Sequence, residues 1–399
     1  MIIDTQASQR QARLLNRLSG TNLALAGDFN QRIVLQQVRL KPDITRPDLV
    51  AITGLTMPTI LAITRKLEAA GLIRESGRTS GGRGQPASRY RVAPSGAFGL
   101  GLSIDRSGLT LALVDLSGET RNIWHHRADF LLPDQVAALI PLAIKNLLGE
   151  AEVSAERDDP FIAERLIGLG IAMPDDLAQV QLPGQPSAYS RWADIDPLAL
   201  MRPCWNGPLH IDNDAAAAAI GEAHFGMGQI YRHFFYILVS AGLGGSLVLD
   251  GMIFRGATGR SGELGFLPVG RASLQDVVSR RALDARLQMI DTHGDAAENA
   301  ITQWLEDAAD ALAGPVVAIN CLINPEAIVL AGDLDKTLAL RLLTKLRQRV
   351  QDNSPAPLGA RADIVLGQFY EDAAARGAAM LPFIDQLLPS EANLMKKQA

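Results

Sequence analysis

Between Thr45 and Gly71 the chain reads as two short helices in immediate succession, and few folds accept that arrangement. In "ITRPDLVAITGL", Thr45 is a natural N-cap, Pro47 falls in the first turn, and Asp48 stands three residues after the cap. Gly54 ends this helix in the turn "ITGLT". Thr56 caps the next helix, "MPTILAITRKLEAAG", with Pro58 early and Gly71 as its stop. Two short helices joined by a glycine-containing turn make a helix-turn-helix. Ahead of them, Ile33, Val34, Leu35 and Val38 have the spacing of an amphipathic helix. Behind them, the short strands "LIRES" and "SRYRVA" flank a loop rich in Gly and Arg, which reads as a β-wing.

Charge says what such a head meets. From Gln31 to Arg91 there are eleven basic residues against four acidic ones, a balance of +7, whereas the whole chain carries -5. A basic head on an acidic body suits a polyanion. The second helix would enter a major groove by its N-terminal end, so Thr56, Met57, Pro58, Thr59, Thr64 and Arg65 are candidates to face base edges. Lys66 and Arg46 are candidates for phosphates, and Ile60, Ile63 and Leu67 face the core. The wing tip, Gly82-Arg83-Gly84, has one charged side chain among glycines and fits a narrow minor groove. A helical hairpin used for protein contacts is the alternative.

A chain of 399 residues exceeds one ordinary core. No apolar run is long enough to span a bilayer, and "MIIDTQASQRQARLLNRLSG" lacks an apolar signal core, so a cytoplasmic protein is expected. Cys204 and Cys321 share no metal spacing and read as small buried residues.

The head and wing together resemble the transcriptional regulators of the ROK family (repressors, open reading frames and sugar kinases), and the resemblance runs from about Gly20 to about Leu388. It implies an α/β chain in three parts: a winged helix-turn-helix over 1–92, and a two-lobed actin-like, ribonuclease H-like body with lobes over 93–213 and 214–399. The last helix, "EDAAARGAAMLPFIDQLL", resembles the one that returns to the first lobe.

The body's motifs match the family's kinases unevenly. Their phosphate turn resembles Asp-x-Gly-Gly-Thr-Lys; here it is Asp105-Arg106-Ser107-Gly108-Leu109-Thr110, with Leu109 where a hydroxyl is expected. The second loop, Gly-Thr-Gly-x-Gly in kinases, is Ala241-Gly242-Leu243-Gly244-Gly245. Pro174 is kept, but Asp175 replaces the glycine after it, and Ala188 occupies the place of a sugar-binding asparagine. By contrast, "NDAAAAAIGE" stays close to the family's Asn-Asp-Ala-Asn-Ala-Ala-Ala-x-Gly-Glu. That resemblance makes Asp214 the counterpart of the base that deprotonates a sugar hydroxyl, and Asn213 that of a hydroxyl binder. A purely structural reading makes Asp214 the N-cap of the alanine helix. "RGATGRSGELGF" keeps the Gly-x-x-Gly-Glu-x-Gly frame, so Glu263 is a hydroxyl acceptor, and Gln275 stands where a ligand-binding glutamate would. The zinc-bearing relatives' histidine is Phe266, which either fills the metal's space or stacks on a sugar ring, and the cysteines after it are missing, so no zinc is expected.

The expectation is a DNA-binding regulator without enzymatic activity or cofactor. It would be a repressor of carbohydrate genes, binding double-stranded operator DNA as a homodimer or dimer of dimers, away from membranes. Asn213, Asp214, Glu263 and Gln275 would hold a sugar or sugar-phosphate effector. Two rivals are a bifunctional ATP-dependent sugar kinase with a DNA-binding head, and a regulator governed by a partner protein.

Overall fold

The computed structural model describes residues 23–78, 86–154, 162–175, 177–180, 184–289, 295–354 and 361–389. The chain divides into two compact units, one running to Ala97 and resuming at Phe383, the other spanning Phe98–Pro382.

In the first unit, helix α1 (Leu23–Leu40) buries Val34, Leu35 and Val38. Strand β1 (Ile44–Thr45) leads into α2 (Arg46–Thr53), where Thr45 Oγ1 accepts from Asp48 N at 3.3 Å and Asp48 Oδ2 accepts from Thr45 N at 3.0 Å. This is the capping box read from the sequence. Gly54 closes α2 at φ 69°, a left-handed conformation that favours glycine. Helix α3 (Met57–Ala69) is capped by Thr56 and buries Ile60 and Leu67. Strands β2 (Ile73–Arg78) and β3 (Ser88–Val92) form an antiparallel pair, and β1 adds to β3 in the order β1-β3-β2. Helices followed by a two-stranded wing on a three-stranded sheet make a winged helix-turn-helix.

The second unit repeats one plan twice. Strands β4 (Phe98–Asp105), β5 (Gly108–Asp115) and β6 (Thr120–Arg127) form an antiparallel meander. After α4 (Pro133–Ser154), β7 (Leu166–Met173) lies parallel to β4; after α5 (Pro197–Met201), β8 (Leu209–Asn213) lies parallel to β7. The order is β6-β5-β4-β7-β8. Helix α6 (Asp214–Phe225) leads to a second meander of β9 (Phe234–Val239), β10 (Leu243–Leu249) and β11 (Met252–Phe254). The hairpin β12 (Pro268–Val269) and β13 (Ala272–Ser273) then leads through α7 (Leu274–Val278) and α8 (Arg280–Gln288) to α9 (Asp295–Leu322). Strand β14 (Ala327–Gly332) lies parallel to β9, α10 (Lys336–Asn353) follows, and β15 (Asp363–Leu366) completes the order β11-β10-β9-β14-β15. Two sheets of identical strand order, each with three antiparallel and two added parallel strands, are the two lobes of an actin-like body.

Each lobe has its own core: Leu100, Leu111, Leu169 and Trp192 in the first, Trp304, Leu312, Leu342 and Ile328 in the second. Between the sheets the chain turns to alanine and glycine. Helix α6 is buried from Asp214 to Glu222, so no face of it has room for a long side chain. Its Ala217 packs with Ala172 of β7 and with Ala378 of the last helix, α11 (Ala373–Gln386). Gly377 of α11 lies so close to the Ala217 carbonyl that any Cβ would collide with it. Among the described residues, no single helix is long and apolar enough to cross a membrane. One expectation fails: Cys321 is exposed near the end of α9, and Cys204 is only partly buried.

Candidate functional site

The candidate reading face of the head lies on α3. Thr56, Met57, Pro58, Arg65 and Lys66 are exposed, and Thr59 is half-buried, its hydroxyl 2.9 Å from that of Thr56. Thr64 does not join them. One helical turn below Ile60 it faces the core, is fully buried, and accepts a 2.9 Å hydrogen bond from Arg46 Nε. Arg46 is therefore held within the head. Its guanidinium also lies 4.8 Å over the Tyr90 ring and 3.8 Å from Glu68, an arrangement that fixes α2 against α3 and β3. All four acids of the basic segment are occupied: Asp43 by Arg91 at 2.8 Å and by Ser76, Asp48 in its cap, Glu68 by Arg46, and Glu75 by Arg78 at 3.4 Å. Arg65, Lys66, Arg74 and Arg89 stay exposed, so the surplus positive charge faces outward. Gly82, Arg83 and Gly84 lie outside the described residues.

The second site is a cleft between the lobes of the body. The adjacent Asn213 and Asp214, with Glu263 and Gln275 from later in the chain, all line it, together with Asp105, Arg106 and the turn Ala241–Gly245. Here the capping expectation is corrected. Asn213, not Asp214, caps α6: its Oδ1 accepts from Ala215 N at 3.0 Å and Ala216 N at 3.2 Å. The backbone donors fix which amide atom is oxygen. Asn213 thus presents only its NH2 as a donor. Asp214 is the first helical residue; its Oδ1 accepts from Ala215 N at 2.8 Å, leaving Oδ2 as an acceptor. A donor beside an acceptor is the complement of two adjacent hydroxyls. Burial pushes the Asp214 carboxyl up to about 6; the neighbouring Asp105 adds to this, while the Ala215 N–H and Arg106 oppose it.

Glu263, just after the glycine turn at Gly262, is held by Arg260 at 2.7 Å. Gln275 sits in the first turn of α7, which the Ser273–Asp276 capping box fixes. Phe266 is 47% exposed at the rim. It is therefore not a filler of vacated metal space, and its ring is open to a ligand.

The turn that resembles the kinases' phosphate loop is engaged by its own first residue. Asp105 Oδ1 accepts from Ser107 N at 2.7 Å and from Gly108 N at 3.0 Å. These are the amides a phosphate would need. Leu109 is not the obstacle that its position suggested: it is buried with Ile104, Leu111 and Phe130 in the first-lobe core. Asp333, after β14, adds a carboxyl on this side of the cleft, beside the carboxylates of Asp105 and Asp372 that raise it.

Sequence reasoning overlooked the cleft's arginines. Arg106 is buried below Asp214, and Arg255 reaches across to grip both carboxylate oxygens of Asp212 at 2.8 and 2.6 Å. The signal was there: Arg106 follows Asp105 directly, and Arg255 and Arg260 flank the glycine loop that contains Gly256 and Gly259. The closing Gly-Glu of the alanine motif is structural. Gly221 meets Gly377, and the buried Glu222 carboxylate accepts from Met227 N at 2.9 Å and Phe369 N at 2.7 Å.

Comparison with known proteins follows the same division. The sequence profile of the ROK family matches residues 104–383. The xylose repressor of Bacillus subtilis (strain 168) is 24% identical over 381 residues, covering 90% of this chain and 96% of that one. Among solved structures, a ROK family transcriptional regulator described as a homologue of the E. coli MLC protein superposes with a TM-score of 0.65 at 24% identity, covering 90% of this chain and 96% of its own. A ROK family glucokinase from Streptomyces griseus, solved with glucose and AMPPNP, gives 0.54 at 20% identity and covers 71% of this chain and 99% of its own. The likeness to both structures is one of fold.

Proposed function

The chain belongs to the ROK family, and from that premise we propose that it is a sequence-specific DNA-binding repressor of carbohydrate genes, governed by a sugar held in the cleft and without kinase activity. The observation that carries this reading is the winged helix-turn-helix head, with the exposed α3 face of Thr56, Met57, Pro58, Arg65 and Lys66. Sugar phosphorylation needs no such head. The non-catalytic part is supported by the Asp105 turn, whose amides are engaged by the residue's own carboxylate. Phosphoryl transfer depends on positioning and neutralising phosphates, and in this turn the amides of Ser107 and Gly108 are already engaged by Asp105. Likeness to a xylose repressor supports the sugar-responsive part.

One α3 helix reads few base pairs, so the operator is bound by a homodimer or a dimer of dimers with two heads on two half-sites. Asn213 donates to, and Asp214 accepts from, neighbouring hydroxyls of the effector, with Glu263 and Gln275 completing the ring of polar contacts. Within the unit of the head, Arg32 of α1 donates to the carbonyls of Asp385 at 2.6 Å and Leu388 at 3.2 Å, at the C-terminal end of α11. A tenfold change of operator affinity requires only about 1.4 kcal/mol of coupling.

The test is selection of double-stranded fragments by the full chain, followed by binding titrations with and without a sugar panel at physiological salt. The expected outcome is a two-half-site sequence whose affinity changes with one of the sugars. Equal binding to all fragments would sink the reading.

A further inference from the structure

The charges around the cleft go further and define the effector's class. We propose that the cleft takes an uncharged sugar and rejects its phosphate ester; this rests on the cleft being the effector site.

A phosphate ester is recognised by guanidinium or ammonium donors that are free to form paired hydrogen bonds. No lysine lines the part of the cleft around Asn213 and Asp214 among its described residues, and each of the three arginines there, Arg106, Arg255 and Arg260, is engaged within the protein; Arg127 and Arg280 line the adjoining part beside Asp105 and Asp333. Arg255 is bidentate on Asp212, whose side chain is 8% exposed. Arg260 places Nε and a terminal nitrogen on the same Glu263 oxygen, at 2.8 and 2.7 Å. Arg106 is buried, donates to the Leu177 carbonyl at 3.4 Å, and has Asp105 and Asp214 as its charged neighbours. What faces the ligand is the opposite sign: Asp105, Asp175, Asp214 and Glu263 all line the same space. A phosphate dianion would have to break a guanidinium–carboxylate pair and then sit among the displaced carboxylates.

Hydroxyls meet no such conflict. A carboxylate already paired with arginine keeps spare lone pairs and still accepts from O–H. Asn213 supplies the donor that Asp214 lacks. Phe254 and Phe266, both about half-exposed at the rim, give the C–H face of a sugar ring an apolar surface. Discrimination here works through the cost placed on the wrong ligand as well as the contacts offered to the right one.

The experiment uses the full chain and matched probes: glucose and glucose 6-phosphate, N-acetylglucosamine and its 6-phosphate, xylose and xylose 5-phosphate. Thermal shift finds binders and calorimetry measures them. In any pair that binds, the free sugar is expected to be at least about tenfold tighter than its ester. A tighter ester in any pair overturns this inference and leaves the effector reading standing; silence from every probe at millimolar concentration overturns both. The variant Asp212→Asn removes the charge that holds Arg255, at a residue outside the cleft lining, and keeps a side-chain oxygen to accept from Asn213 N. It should narrow the preference by about tenfold through a gain in ester affinity, with the free sugar little changed. An unaltered preference in D212N would also refute the inference.

Discussion

Two aspartates, each at the end of a first-lobe strand, have met opposite fates. Asp105, closing β4, turns its carboxylate back onto the amides of Ser107 and Gly108. Asp214, following β8, leaves the capping of α6 to Asn213 and keeps one oxygen open to the cleft. The first carboxylate is spent on its own turn; the second is the one on which the proposed ligand site rests. The difference teaches that two aspartates at the ends of strands of one sheet can be committed differently by their local hydrogen bonds, because separate strands carry them.

The sharpest contrast sets a purely structural carboxylate against Asp214. Glu222→Ala leaves the Met227 and Phe369 amides buried without their acceptor. It should cost about 3 kcal/mol or more of stability in denaturant unfolding. A loss near zero would mean that Glu222 does not hold those loops. Asp214→Asn should behave in the opposite way, losing about 100-fold in sugar affinity by calorimetry while stabilising the free protein. The sign follows from its carboxyl, raised from 3.8 to about 6 in the fold. Its contribution is fully present below pH 4 and is lost as pH rises through 6, so at neutral pH the charge is a burden that the amide removes. A lower melting temperature for D214N at pH 7.5 would contradict this.

A smaller effect comes from the same group. A hydroxyl donates to the ionised form of Asp214, so sugar affinity should fall about tenfold between pH 7.5 and 5, with the midpoint near 6. A flat profile would remove Asp214 from the contact. The smallest effect separates two arginines of the head. Arg65→Ala should lower the slope of log affinity against log salt by about one. Arg46→Ala should leave the slope alone and lower the melting temperature, because Arg46 is bound to Thr64 and stacked on Tyr90.

The sequence was most legible where the chain obeys local rules. Thr45, Asp48, Gly54 and Thr56 act over three or four residues, and their caps appear as the spacing implies. The cleft's membership was legible through resemblance, because Asn213, Glu263 and Gln275 stand in recognisable frames. Orientation was not. Thr64 and Arg46 turn inward through a hydrogen bond between residues eighteen apart, and Leu109 turns into the first-lobe core beside Phe130. The exchange of roles between Asn213 and Asp214 turns on a single residue of helical phase, below the resolution of pattern reading. The pairing of Arg255, just past β11, with Asp212 of β8 joins the two lobes, and no local signal encodes it.

The central claim is that the cleft recognises a sugar and no longer transfers phosphate to it. The most direct measurement follows one sample of full-length protein with MgATP and a hexose that shifts its melting temperature, recording heat of binding and hexose phosphate together. The account predicts saturable binding and no phosphorylated hexose above the uncatalysed background. Hexose phosphate accumulating at enzymatic turnover would contradict it.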